Sequence, residues 1–425
     1  MKIKCLPQDF QVHEQTLCVA TKLGHFSFYK LEKENWTTHD ALNLLRRKWN
    51  INSASLSYGG LKDRHATTSQ YFTIQRGPER CFAQMGIRVT YLGRLGHAFG
   101  PRDISGNRFD LVLRDLTESE IEPLRNNLEG IKNFGLINYF DDQRFGSVPR
   151  SGKFIAKEMI LGNFEEALRL ALTAPYEHDL AKDKKEKEIL NKYWLRWVEC
   201  KQNLERGHAR SLVDYLVSHP DDFRGACLRL RPDLRSLYLF AYQSKIWNRL
   251  VATWMEDNIP KSELIYLQLK TDSLPSPITI PDSLRSDWNS LTFPYPSARL
   301  KMPEGAFYTA ALEKVMSKEG FPLQEMKIRQ MQKPFFAKGE RALVSFPKDL
   351  TYEMGSDELH PQKWKASVSF QLPAGSYATM LIKRLQAVIY DRKKKQPSEK
   401  TENQTKSCSH QEQVNQEQDL EQILE

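Results

Sequence analysis

The feature that most constrains this chain's fold is the order of its hydrophobic periods. Two-residue alternation marks the first part of the chain, a helical period replaces it, and alternation returns after residue 340. Strands are predicted at Asp9–Glu14, Phe26–Leu31, 71–75, 87–92 and Phe109–Leu113, with a short helix opened by Thr37-Thr38-His39-Asp40 and running to Trp49. A second helix is predicted over 118–128. Helices then follow at 153–161, 164–172, 183–199, 208–217 and 233–256, the last carrying Leu239, Tyr242, Ile246, Leu250 and Trp254 on one stripe. Residues 258–304, rich in proline and serine, read as loops with short strands. Strands resume at Ala342–Phe346 and Ala366–Phe370, and a helix near 376–390 ends the ordered part. This order predicts an α+β protein in which a mainly helical domain, 136–340, is inserted into a domain assembled from 1–135 and 341–392. The stretch 393–425 has almost nothing apolar and is expected to be a disordered tail.

Composition narrows the class. The chain of 425 residues has a formal net charge of +9, and the tail carries five lysines against seven acids, so the rest carries +11. That balance suits a polyanionic partner. No run approaches the roughly 20 apolar residues of a membrane span, and Met1-Lys2-Ile3-Lys4-Cys5 lacks the apolar core of a signal peptide. A soluble, cytoplasmic protein is expected. The six cysteines are scattered without a Cys-x-x-Cys pair, which argues for reduced thiols and against a zinc site or a disulfide framework. Gly93–Gly100 has the look of a phosphate loop but lacks its Gly-Lys-Ser/Thr ending.

The stretch with the most chemistry is Gly59-Gly60-Leu61-Lys62-Asp63-Arg64-His65-Ala66-Thr67-Thr68-Ser69-Gln70. Asp63 stands between two cations, after a glycine pair expected to supply backbone angles forbidden to other residues. A cation within a few ångströms favours an ionised carboxylate. Read by itself, the stretch is also compatible with a solvated turn.

Its pattern resembles the catalytic segment of the TruD-type pseudouridine synthases, G-x-K-D-[RK]-x-A-x-T-x-Q, matched by Gly60, Lys62, Asp63, Arg64, Ala66, Thr68 and Gln70. Further stretches are similar to that family in the same order: Lys4, Pro7, Asp9 and Phe10; Gly106-Asn107-Arg108-Phe109; Asn138-Tyr139-Phe140 with Gln143–Gly146; Tyr242-Gln243-Ser244 with Asn248; and Phe370–Thr379. One departure is Asp141, which replaces the family's glycine after Asn-Tyr-Phe.

The resemblance implies a catalytic domain on a mixed, largely antiparallel sheet. It also implies isomerisation of a uridine, characteristically position 13 of tRNA, without cofactor or metal. Asp63 inherits the nucleophile's role, attacking C1′ of the ribose or C6 of the base. The target base must leave its stack to reach it. Phe10, Phe109 and Phe370 fall on pocket positions, where base–aromatic stacking is worth about 1–3 kcal/mol; otherwise they are core residues of strands. Asn107 is placed to bond the uracil edge, and Lys4 to neutralise phosphate or orient Asp63. Arg64 and Arg144 are candidates for RNA backbone contacts or for structural ion pairs. Two other classes compete: an RNA-binding module, which would tolerate loss of Asp63, and a metal-dependent nuclease, for which Asp141-Asp142 is the only tempting carboxylate pair.

Overall fold

The computed structural model of the protein describes residues 1–176, 179–329, 331 and 335–395, the stretch 388–395 by its backbone alone. Contacts divide the chain into one unit formed by Met1–Leu136 with the segment from Ser345 onward, and another formed by Ile137–Val344. No helix among the described residues is long and apolar enough to cross a membrane. Of the stretch expected to be a disordered tail, 393–395 continue the last helix and 396–425 lie outside the described residues.

The first unit is built on a nine-stranded sheet. Before the insertion come β1 (Phe10–Thr16), β2 (Phe26–Glu34), α1 (Thr38–Trp49), β3 (Leu56–Tyr58), β4 (Thr67–Gln75), β5 (Phe82–Gln84), β6 (Ile87–Leu95), β7 (Ile104–Leu116) and α2 (Glu118–Phe134). After it come β8 (Lys348–Ser356), β9 (Trp364–Pro373) and α3 (Ala378–Lys395). The strand order is β8-β9-β7-β1-β4-β2-β6-β5, with β3 paired to β4. Only the β1–β4 pair is parallel. The α+β class with a mixed, largely antiparallel sheet is therefore the fold of this unit.

Alternation along the strands places two hydrophobic clusters on one face of the sheet. Ala41, Leu42 and Leu45 of α1 pack on Tyr29, Leu31 and Phe72. Leu124, Leu128 and Ile131 of α2, with Leu381, Ile382 and Leu385 of α3, pack on Phe109, Leu111, Val368 and Phe370. α1 starts where the sequence predicts, because Thr37 Oγ1 accepts the Asp40 N–H and closes the first turn. At the other end Asn50 takes φ +53° and stops it.

The second unit is organised on the helix Pro232–Asn258, whose Leu239, Tyr242, Ile246, Leu250 and Trp254 are all buried. The predicted helix 183–199 is instead two, Ala181–Lys192 and Trp197–Asn203. Leu195 between them has φ +68°, which a helix cannot contain. A helix at Thr309–Glu319 adds to this unit without having been anticipated in the sequence.

Candidate active site

Strand register assembles the site. Glu14 on β1 lies opposite Asn107 on β7, and Val12 opposite Phe109. Phe109 in turn faces Phe370 on β9. On the other side, Lys33 of β2 lies opposite Thr68 of β4, and Leu31 opposite Gln70. All these residues share the face that carries the two apolar clusters, and the polar ones fall between the clusters.

The loop joining β3 to β4 passes over this polar strip and carries Asp63. It is held from beneath at four points. Gln70 Nε2 donates to the Gly60 carbonyl at 3.0 Å, and Thr38 Oγ1 donates to Gln70 Oε1 at 2.8 Å. The Lys62 N–H donates to Thr38 Oγ1 at 3.0 Å. Lys33 Nζ donates to the carbonyls of Lys62 and Asp63, at 3.2 and 2.6 Å. Ala66 then drops into the core just before the return strand starts at Thr67. The glycine pair works differently from the expectation, since neither Gly59 nor Gly60 takes a positive φ. Gly59 is required instead by close approach: a Cβ there would lie 2.5 Å from Ile104 Cδ1 and 3.0 Å from the Gly100 carbonyl.

Around Asp63 the charges alternate. Lys4 Nζ lies 3.5 Å from Asp63 Oδ2 and 4.5 Å above the Phe10 ring. Lys62 turns away from its neighbour: its Nζ sits 2.8 Å from Glu14 Oε2 and donates to Asn107 Oδ1 at 2.9 Å. The Glu14 contact is an ion pair and not an aligned hydrogen bond. Glu14 is itself fixed by the Tyr71 N–H on its other oxygen. Lys33 is 2 % exposed, and burial pushes its ammonium down to about 8 against the opposing pull of Asp63.

The segment bearing Lys4 and Phe10 is anchored at depth. Asp9 takes two bonds of 2.9 Å from the buried Arg114, which also reaches Asp357 at 2.8 Å. Among the described residues, the site residues named from the sequence thus divide. Lys4, Asp63 and Asn107 meet at the polar strip. Phe10, Phe109 and Phe370 lie in the adjoining core, the last two stacked with ring centroids 5.3 Å apart. Arg64 is exposed on the loop. Arg144 belongs to the second unit, where it donates to Ser244 Oγ and covers the Phe140 and Phe240 rings. Asp141 is buried with φ −85°, so its replacement of a glycine carries no backbone strain. Asn248 brackets Phe140 at both its N–H and its carbonyl.

Glu14, Lys33 and Thr38 were not singled out in the sequence. Lys33 had a readable signal, since it shares the parity of Tyr29 and Leu31 and so puts a lysine on the apolar face of β2. For metal binding, Cys18, His97 and Asp103 offer donor atoms within 4.8 Å of one another. Both Asp103 oxygens are already engaged, one with His97 at 2.9 Å and one with the Gly100 N–H at 2.7 Å, so this group satisfies itself.

The family model described as tRNA pseudouridine synthase D (TruD) matches residues 1–385. A Methanococcus maripaludis relative of that family name is 30 % identical over 91 % of this chain and 99 % of its own. The tRNA pseudouridine synthase D of Leptospira interrogans is 32 % identical over 90 % of this chain and 95 % of its own. A crystal structure from Methanosarcina mazei under the TruD name superposes with a TM-score of 0.68 at 25 % identity, covering 90 % of this chain and 92 % of that one. The segment around Asp63 and the matches before and after it therefore lie within one continuous relationship, and the chain belongs to the tRNA pseudouridine synthase D (TruD) family of isomerases.

Proposed function

We propose that this protein converts a uridine of tRNA, the one at position 13, into pseudouridine, with Asp63 as the covalent nucleophile. The observation that carries this reading is the placement of Asp63. Its loop is tied from beneath, and its carboxylate faces the Lys4 ammonium at 3.5 Å within a chain that matches the family over residues 1–385. The carboxylate attacks C1′ of the ribose or C6 of the uracil, and the N1–C1′ bond breaks. The base turns, C5 bonds to C1′, and Asp63 is released. C5 loses a proton and N1 gains one, so the product is an isomer of the substrate and the step balances without an oxidant or reductant.

The neighbours have matching tasks. Because Lys62 occupies Asn107 Oδ1, the amide nitrogen of Asn107 is left as the donor for a uracil oxygen. Phe109 lies two residues along β7, with Phe370 stacked behind it and Phe10 beside it, and it supplies the apolar wall against which the detached base turns. A flipped base is required, since the nucleophile cannot reach into a stacked helix. The net charge of +9 suits an RNA partner, and a tRNA substrate supports the reading of a cytoplasmic enzyme.

The test is pseudouridine mapping on unmodified tRNA, with wild type and Asp63→Asn and no added cofactor. Product at position 13 from the wild type alone, with equal tRNA binding by both, is the expected result. Product from both removes Asp63 from its role. Binding without product from either points to an RNA-binding module.

A further inference from the structure

We infer that Lys33 is a positioning residue for the nucleophile, its ammonium fixing the Lys62–Asp63 backbone from within the sheet; the inference rests on the reaction assigned to Asp63 above. Lys33 sits near the end of β2, in register with Thr68 on β4 and Ile87 on β6. An apolar residue would fit that row, which continues into Val12, Phe109 and Phe370. The chain instead buries a cation there, and no carboxylate lies within ion-pair distance of it among the described residues. Burying a charge without a counter-ion is costly. Two bonds from its Nζ go to consecutive carbonyls, and the second of these belongs to Asp63.

That geometry has a consequence for Asp63. Its peptide carbonyl is held at 2.6 Å by one ammonium from below, while its side chain meets another, Lys4, at 3.5 Å. The side-chain direction of Asp63 is thereby set between two fixed points. A misplacement of about 1 Å in a reacting group costs on the order of a hundredfold in rate. The charged groups facing Lys33 are Asp63, which favours its proton, and Lys62, which opposes it, with burial the largest influence and also opposing it. The same ammonium therefore gives the loop a proton-dependent clamp. Burial brings its titration down to about 8, within reach of a pH profile.

The variant is Lys33→Met, of similar length and without charge. It is expected to fold with a Tm no lower than that of the wild type and to bind tRNA within a few-fold. Its single-turnover rate is expected to fall by about a hundredfold. The wild-type rate is expected to decline as pH rises past about 8, and the variant to lack that limb. A second readout needs no activity. The Lys33 side-chain NMR titration is expected to move to lower pH in Asp63→Asn, because the favourable charge is gone. A Met variant with the wild-type rate overturns the inference. So does a slower, less stable variant that keeps the alkaline limb, or a Lys33 midpoint that ignores Asp63→Asn. Wild-type protein that forms no pseudouridine refutes the assigned reaction, and the Lys33 titration then decides the contact by itself.

Discussion

Lys4 brings conformation and charge together beside the proposed nucleophile. Its φ of +57° lies in the left-handed region, which costs a residue with a side chain about 1 kcal/mol. The ion pair it makes does not offset that cost reliably, since Asp63 is 39 % exposed and such pairs contribute about 0–1 kcal/mol. The strain persists because the chain is pinned on either side. Lys2 exchanges backbone bonds of 2.7 and 2.8 Å with Arg114, and the Leu6 N–H donates to Asp9 Oδ2 at 2.9 Å. Strain held in place by its surroundings beside the proposed nucleophile supports a role in positioning. Lys4→Gly relieves the φ cost but loosens the unfolded chain, so its stability in urea should stay within about 1 kcal/mol of wild type. Its rate of pseudouridine formation should fall by about a hundredfold. A loss of several kcal/mol would make Lys4 a structural residue. At Lys33 the sign of the pH effect on stability can be worked out. Its folded value of about 8 lies below the ordinary lysine value of 10.5, so the unfolded chain holds more protons between those limits. Its contribution to stability therefore rises with pH across that window, while the charge that clamps the loop is lost. Urea melts at pH 7.5 and 10 should show Lys33→Met losing its stability advantage over wild type at the higher pH.

Among the elements, the short turn before β1 depends on the partnership of Asp9 and Arg114. Arg114 on β7 is 3 % exposed and holds Asp9 by two bonds, Asp357 by one and Glu358 by another. Removing Asp9 leaves the buried Arg114 Nε without its acceptor while Asp357 and Glu358 remain as counter-ions, so Asp9→Ala should cost about 1–3 kcal/mol in urea unfolding. Burial opposes the charge on Asp357, but the N–H groups of Asp115 and Leu359, with His360 and Arg114, outweigh it and hold its carboxyl well below the usual carboxylate range. Its contribution is thus complete above about pH 4 and is lost as pH falls toward the folded value; Asp357→Asn should flatten the acid limb of the stability curve. These elements were unevenly legible in the sequence. β7 was predicted over five residues and runs from Ile104 to Leu116, because Arg108 before the predicted run and Arg114 after it interrupt the apolar pattern with charges that pair in the fold. β8 escaped notice for a similar reason, carrying Lys348, Asp349 and Glu353 along an edge of the sheet. Asp63 was readable because its neighbours in the chain are also its loop. Glu14, Lys33 and Thr38 act on that loop from three other elements, and no local pattern announces such a meeting.

On the scale of the whole molecule, the inserted unit begins and ends at one place. The Asn138 N–H donates to the Leu343 carbonyl at 2.8 Å, and Arg341 donates to the Asn138 carbonyl at 2.7 Å, so the two ends of Ile137–Val344 run side by side. Its core is internal: Trp247 Nε1 donates to the Phe293 carbonyl at 3.1 Å, and Gln243 Nε2 donates to Pro296 and Ala337 carbonyls at 3.0 and 2.9 Å. A segment of this size with adjacent ends and its own buried helix meets the requirements of an independent domain. Expressed alone, residues 137–344 should unfold in one cooperative transition, with circular dichroism and tryptophan fluorescence coinciding. Non-coincident or gradual melting would mean that the long helix depends on the rest of the chain. The same fragment carries none of the residues assigned to the reaction, so it should form no pseudouridine. If it binds tRNA, its affinity should fall steeply with salt, as a phosphate-dominated contact requires. In the full-length protein, Asp63→Asn should leave that salt slope unchanged, because the carboxylate is assigned to the uridine and not to the phosphates. A slope altered by Asp63→Asn would place Asp63 in RNA binding and take from it the separation of binding and chemistry on which the nucleophile's assignment rests.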